Sequence, residues 1–291
     1  MNERAVLLGK TKGLVGVLTE PTRTFAAKNY PAIILLNAGL VHRVGPNRIY
    51  VQIARRLAAS GFPALRFDLA GIGDSGNRTD DLSLKEGAIN DVKEAMNFLA
   101  CEQIARHFIL VGICSGANNS LRAAQNDPRV IGAVPIEPYH FSTTGYHLYL
   151  YSRRLLNPKC WRRLLTMKSD FWRLLRNYKI RKENWPKANG RSGQVGAEGR
   201  ASFKTQIVSE IQDLLSRGVS LHFVYCVDSP SYYNHYLPLR QKTASSKQFQ
   251  VTLFANTDHT FTLVSSQASL VNSIHDWVKA VAQAPSLPHR M

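Results

Sequence analysis

The chain has 291 residues, 44% of them hydrophobic and 20% charged, which is the composition of an ordinary globular domain and excludes a disordered or fibrous protein. Its formal net charge is +17, and the excess is concentrated: Tyr151 to Arg200 holds 14 Lys and Arg against 3 acidic residues, a net +11. The opening Met1 to Lys10 lacks the apolar core of a signal peptide, and no apolar run reaches the length of a membrane span. Four scattered cysteines, Cys101, Cys114, Cys160 and Cys226, have neither disulfide-framework nor zinc spacing, so a cytoplasmic protein without a metal site is expected.

In chain order, Leu14 to Leu18 and Pro31 to Leu36 read as strands, the second a continuous apolar run suited to the middle of a parallel sheet. A loop rich in turn residues, Asn37 to Arg48, follows. The spacing of Ile49, Ile53 and Leu57 predicts a helix to Ser60, stopped by Gly61. Pro63 to Asp68 returns as a strand, Ala88 to Leu99 as an amphipathic helix, and Phe108-Ile109-Leu110-Val111 as a buried strand. Val130 to Ile136 is a further strand. Alternation then lapses from about His140 to Arg200, where helical stretches interleave Trp161, Arg162, Arg163 and Trp172, Arg173. It resumes with a helix at Gln206 to Ser216, strands at Leu221 to Val227 and Phe249 to Phe254, and a closing helix from Ser266 to Val281. This order predicts an α/β fold, a mostly parallel sheet with helices on both faces, built from residues 1–139 and 201–291 and interrupted by a basic helical cap at 140–200.

Gly112-Ile113-Cys114-Ser115-Gly116 stands between the buried strand and a helix predicted at Ala117 to Gln125. A Gly-x-nucleophile-x-Gly turn is a nucleophile elbow, and here its middle residue is Cys114. A thiol nucleophile needs a base and a group that orients it. With the order nucleophile, acid, histidine, the residues at late strand ends are Asp228 and His259. Glu137, which ends the strand before the insertion, is the rival for the acid. His140 and His147 are assigned to the cap, and His42, His222 and His275 to a loop, a strand and a helix. Paired with His259, Cys114 is expected to be partly thiolate. The N–H groups of Ser115 and Leu40 are the expected oxyanion donors. Gly71-Ile72-Gly73-Asp74-Ser75-Gly76 matches a dinucleotide fingerprint, but a polar stretch rather than a helix follows it, so no cofactor is expected.

Asn37-Ala38-Gly39, His42-Arg43, Gly45-Pro46, Leu65 to Ser75, Gly112 to Ala117 and Asp258-His259-Thr260-Phe261 resemble the α/β-hydrolase superfamily. Within it they are most similar to bacterial serine-aminopeptidase-like hydrolases, including those associated with exosortase loci. The resemblance implies the same triad of Cys114, Asp228 and His259, and the Cys is similar to that of dienelactone hydrolases and some thioesterases. An esterase or thioesterase working through an acyl-enzyme is therefore expected. Acyl transfer to an alcohol or amine by the same triad is the variant, and an inactive binding module is the rival of another class. The basic cap, with Trp161, Arg162, Trp172 and Arg173, is expected to meet an acyl carrier protein, a CoA ester or an anionic membrane surface, the last making the protein peripheral to the membrane. No motif supports nucleic acid.

Overall fold

The computed structural model describes residues 1–10, 13–21, 30–140, 144–155, 197–239 and 248–283. The chain divides into two compact units, Met1–His140 with Lys204–Met291, and Phe141–Phe203. The first unit is built on an eight-stranded sheet. Its strands are β1 (Asn2–Leu8), β2 (Leu14–Glu20), β3 (Ala32–Leu36), β4 (Ala64–Phe67), β5 (Phe108–Ile113), β6 (Val130–Ile136), β7 (Ser220–Cys226) and β8 (Phe249–Phe254). They lie in the order β1-β2-β4-β3-β5-β6-β7-β8. Only β1 with β2 and β2 with β4 are antiparallel; β4, β3, β5, β6, β7 and β8 run parallel.

Every residue of β3 and β5 is buried, as central strands covered on both faces must be. On one face Ile33, Leu35, Ile109, Val111, Val134 and Val224, alternate residues of four strands, join a core with α1 (Ile49–Ala58) and α6 (Val264–Gln283). The helices contribute Ile49, Ile53, Leu57 and Leu270, Ile274, Trp277, the helical spacing that turns one stripe inward. The other long helices described in the first unit are α2 (Leu84–Cys101), α3 (Ser115–Asn126) and the C-terminal part of α5 (Ala197–Ser216), with short helical turns at Pro46–Arg48, Tyr232–Tyr236 and Leu237–Leu239. In the second unit α4 (Thr144–Leu155) is described; Trp161, Arg162, Trp172 and Arg173 lie outside the described residues. Among the described residues no helix is long and apolar enough to cross a membrane.

The strand β1 is absent from the expectations above. It is an edge strand carrying Glu3 and Arg4, whose side chains pair with Arg55, Arg66 and Glu20 rather than forming an apolar face. Helix α2 begins at Leu84 rather than Ala88 because Ser83 and Glu86 cap it reciprocally, each side chain meeting the other residue's backbone N–H.

Candidate active site

Strand β5 turns into α3 at Cys114, which takes φ 57° and ψ −112°, a backbone conformation outside the ordinary helical and extended regions. The turn is too tight for side chains on either side. A Cβ on Gly112 would stand 2.2 Å from the Gly116 carbonyl carbon, and one on Gly116 would stand 2.5 Å from the Leu36 carbonyl oxygen. Both glycines are therefore steric requirements of the elbow. Beneath it lies Tyr50, fully buried on α1. Its hydroxyl donates to the Leu36 carbonyl at 2.8 Å and accepts the Ile113 N–H at 2.9 Å, joining the ends of β3 and β5.

The loop after β3 is fastened to the elbow and to β4. Ser115 Oγ accepts the Gly39 N–H at 2.7 Å, so the hydroxyl beside Cys114 is committed to holding the loop. Leu40 is 88% exposed, and its N–H donates to no group among the described residues. Asn37 donates to the Val41 carbonyl and to buried Asp68, and accepts the Leu69 N–H. The Gly71 to Gly76 stretch wraps the same aspartate. Asp74 N–H meets Asp68 Oδ2, Ser75 Oγ donates to its carbonyl, and a Cβ on Gly73 would strike the carboxylate. Arg43 bridges Asp68 and Asp74, with His42 against the same groups. These glycines close a loop on a carboxylate; no helix begins until Leu84, so the pyrophosphate-binding geometry is missing.

Beyond β6 the chain turns sharply, with Glu137 at φ 53° and Tyr139 at φ 52°. Glu137 is fully buried. Its Oε1 accepts the Cys226 N–H at 2.5 Å and the Ser229 hydroxyl at 3.0 Å, and its Oε2 lies 3.0 Å from His140 Nδ1. Ser231 Oγ is 3.2 Å from the same nitrogen. The His140 ring stacks on that of His259, centroids 4.5 Å apart and planes 22° from parallel. His140, assigned above to the insertion, thus belongs with the sheet unit and meets the histidine from the other end of the chain. Asp228 follows β7 with φ 69° and is half-buried.

The loop that carries His259 is stapled by its neighbour. Asp258 accepts the Thr260 and Thr262 hydroxyls and the Thr262 N–H, and these bonds hold its carboxyl down to about 2 against the effect of burial. Cys226 Sγ donates to the Asp258 carbonyl at 3.3 Å. Burial pushes the His259 pKa down, and His140 pushes the same way; Glu137 and Asp258 oppose them. The imidazole is therefore less readily protonated than an ordinary histidine.

The Cys114 thiol departs from expectation. Burial raises its pKa, the Ser115 N–H bonded to the sulfur counteracts part of this, and the Glu137 charge raises it further. These influences together disfavour the thiolate in the free protein. A buried carboxylate near the sulfur disfavours the anion, and that proximity arises only in the folded sheet.

A sequence profile of the serine aminopeptidase (S33) family matches residues 31–186. No curated protein sequence matches the chain. Solved structures resemble it in fold at low identity. An α/β hydrolase from Penicillium sp. sh18 is 16% identical, with 97% of this chain and 99% of that one covered and a TM-score of 0.57. An esterase of Pyrococcus furiosus is 12% identical, covering 96% and 92%, TM-score 0.58. The proline iminopeptidase of Mycobacterium smegmatis is 12% identical, covering 97% and 99%, TM-score 0.58. With more than half of its length matched by the family profile and an eight-stranded α/β-hydrolase sheet beneath the elbow, the chain belongs to the serine aminopeptidase (S33) family of α/β hydrolases and is an enzyme of that class.

Proposed function

We propose that the protein cleaves an ester or thioester by transferring its acyl group to Cys114. The observation that carries this reading is the position of the thiol. It occupies the tip of the elbow between Gly112 and Gly116, while the adjacent Ser115 hydroxyl is taken up by Gly39. His259 is the base in this reading. It takes the thiol proton as sulfur attacks the carbonyl carbon, and the carbonyl π pair moves to oxygen, where the Ser115 and Leu40 N–H groups meet it. Collapse breaks the bond to the leaving oxygen or sulfur, which receives the proton from His259. Water then gives His259 a proton as it attacks the acyl-thioester, and the acid leaves as Cys114 regains its proton.

The raised thiol and the lowered imidazole support proton transfer in concert with attack rather than a standing ion pair. Chain order names Asp228 as the orienting carboxylate, with Glu137 its rival. The described cysteines, Cys101, Cys114 and Cys226, are free, in keeping with a reducing compartment such as the cytoplasm. The net +11 of Tyr151 to Arg200 favours an acyl group presented on an anionic carrier, such as CoA or an acyl carrier protein.

Hydrolysis of a panel of acyl thioesters and oxygen esters, graded in acyl length and with and without a CoA moiety, tests this reading. Turnover of at least one series is expected, falling by at least about a thousandfold in both Cys114→Ala and His259→Ala. Turnover that survives Cys114→Ala overturns it.

A further inference from the structure

Glu137 follows the end of β6, and Asp228 follows the end of β7. Glu137 is fully buried and fully engaged: Cys226 N–H and Ser229 O–H fix one oxygen, and His140 Nδ1 meets the other. An imidazole nitrogen facing a carboxylate carries the hydrogen, so His140 Nδ1 donates and the ring is held in one orientation. The face of that ring is where His259 rests. The sheet alone makes this possible. Glu137 and His140 leave the end of β6, next to the β5 end that presents Cys114, while His259 comes from the loop after β8.

We infer that Glu137 and His140 are the positioning pair for His259: the carboxylate orders His140, and the His140 ring is the wall against which the His259 imidazole is held. This rests on the Cys114 and His259 reading above and adds to it a carboxylate that acts through a second imidazole. Among the described residues, Glu137 and His140 from the β6 end and Asp258 from its own loop act on the His259 charge, and Glu137 also acts on Cys114. Asp258 is spent on Thr260 and Thr262. The charge of Glu137 thus reaches both reacting groups. It favours the imidazolium that forms during attack and disfavours a premature thiolate. The two members of the pair press on His259 in opposite directions, since Glu137 raises its pKa and His140 lowers it. Substituting each should therefore move the histidine oppositely, a signature that simple loss of packing does not produce.

The experiment compares wild type with Glu137→Gln and His140→Phe by two readouts. The first is histidine NMR titration without substrate. The second is the pH dependence of Cys114 acylation by p-nitrophenyl acetate, followed by intact mass. Glu137→Gln leaves an amide oxygen that can still accept from Cys226 and Ser229, and His140→Phe keeps an aromatic wall. The His259 titration, and with it the acid limb of acylation, is expected to move to lower pH in Glu137→Gln and to higher pH in His140→Phe. Acylation near neutral pH should slow by at least about tenfold in Glu137→Gln. A His259 titration that is unmoved by Glu137→Gln and by His140→Phe, or that both variants move in the same direction, overturns the inference. Should Glu137→Gln fail to fold, the upward shift in His140→Phe decides alone. Absence of any Cys114 adduct in wild type would refute the proposed function instead, and the titrations would still judge the pair.

Discussion

The Tyr50 hydroxyl accepts the Ile113 N–H at 2.9 Å, one residue before Cys114, and hands its own proton to the Leu36 carbonyl at the end of the neighbouring strand. A single buried phenol thus fixes the height of the elbow relative to the loop that supplies Gly39 and Leu40. Tyr50→Phe leaves both backbone groups buried without their partner, at a cost of about 2 kcal/mol. Urea unfolding should show that loss, and Cys114 acylation should slow beyond what the stability change explains, because the two sides of the proposed oxyanion site are no longer held in register.

Gly112 is expected to tolerate no side chain. The methyl of Gly112→Ala would lie 2.2 Å from backbone, which cannot swing aside as a flexible side chain could. Overpacking against backbone costs about 3 kcal/mol or more. Thermal or urea denaturation checks this; a variant as stable as wild type would mean that the elbow opens more easily than its packing implies.

Acid should destabilise the fold through two histidines outside the site. His222 and His235 are almost wholly buried, and burial holds them down to about 4 and about 3. His222 Nδ1 and His235 Nε2 have no partner among the described residues, so a second proton finds no acceptor. In the unfolded chain both titrate near 6.5. Below that value the unfolded state binds more protons than the folded one, and stability falls with pH. Each histidine contributes a loss of about 3 kcal/mol by pH 4. Urea midpoints measured from pH 7 to pH 4 should fall, and less steeply in His222→Gln. A flat profile would contradict neutral burial of both rings.

Thiol chemistry gives an independent check on the ground state. Burial and Glu137 push the Cys114 thiol up, whereas Cys101 is exposed. At pH 7 iodoacetamide should modify Cys101 well before Cys114, and Cys114 should respond only as the pH rises past the ordinary thiol range. Peptide mapping of a time course distinguishes the two. Preferential labelling of Cys114 at pH 6 to 7 would show a standing thiolate instead.

The parallel strands were legible because β3, β5 and β6 are buried on both faces and read as unbroken apolar runs. The elbow was legible for a related reason: Gly112 and Gly116 mark a steric need within five consecutive residues. β1 was hidden because its Glu3 and Arg4 satisfy cross-strand and helix partners and leave no alternation to see. The start of α2 was available in Ser83-Leu84-Lys85-Glu86, a capping box that hydrophobic spacing alone passes over. His140 could not be placed from sequence. Its nearness to Glu137 is local, but its contact with His259, 119 positions later, exists only because β6, β7 and β8 lie side by side. For the same reason the upward push on the Cys114 thiol was invisible, since it needs the burial of the site and the charge of Glu137 from the end of β6.

The central claim is that Cys114 carries the acyl group. Its most direct test is intact-protein mass within the first turnover of a substrate that the protein cleaves, followed by peptide mapping of the adduct. The account predicts a mass increase equal to one acyl group, located on the peptide containing Cys114, absent from Cys114→Ala and slower to form in His259→Ala. An adduct on Ser115 or on any other residue, or turnover that proceeds in Cys114→Ala, would contradict it.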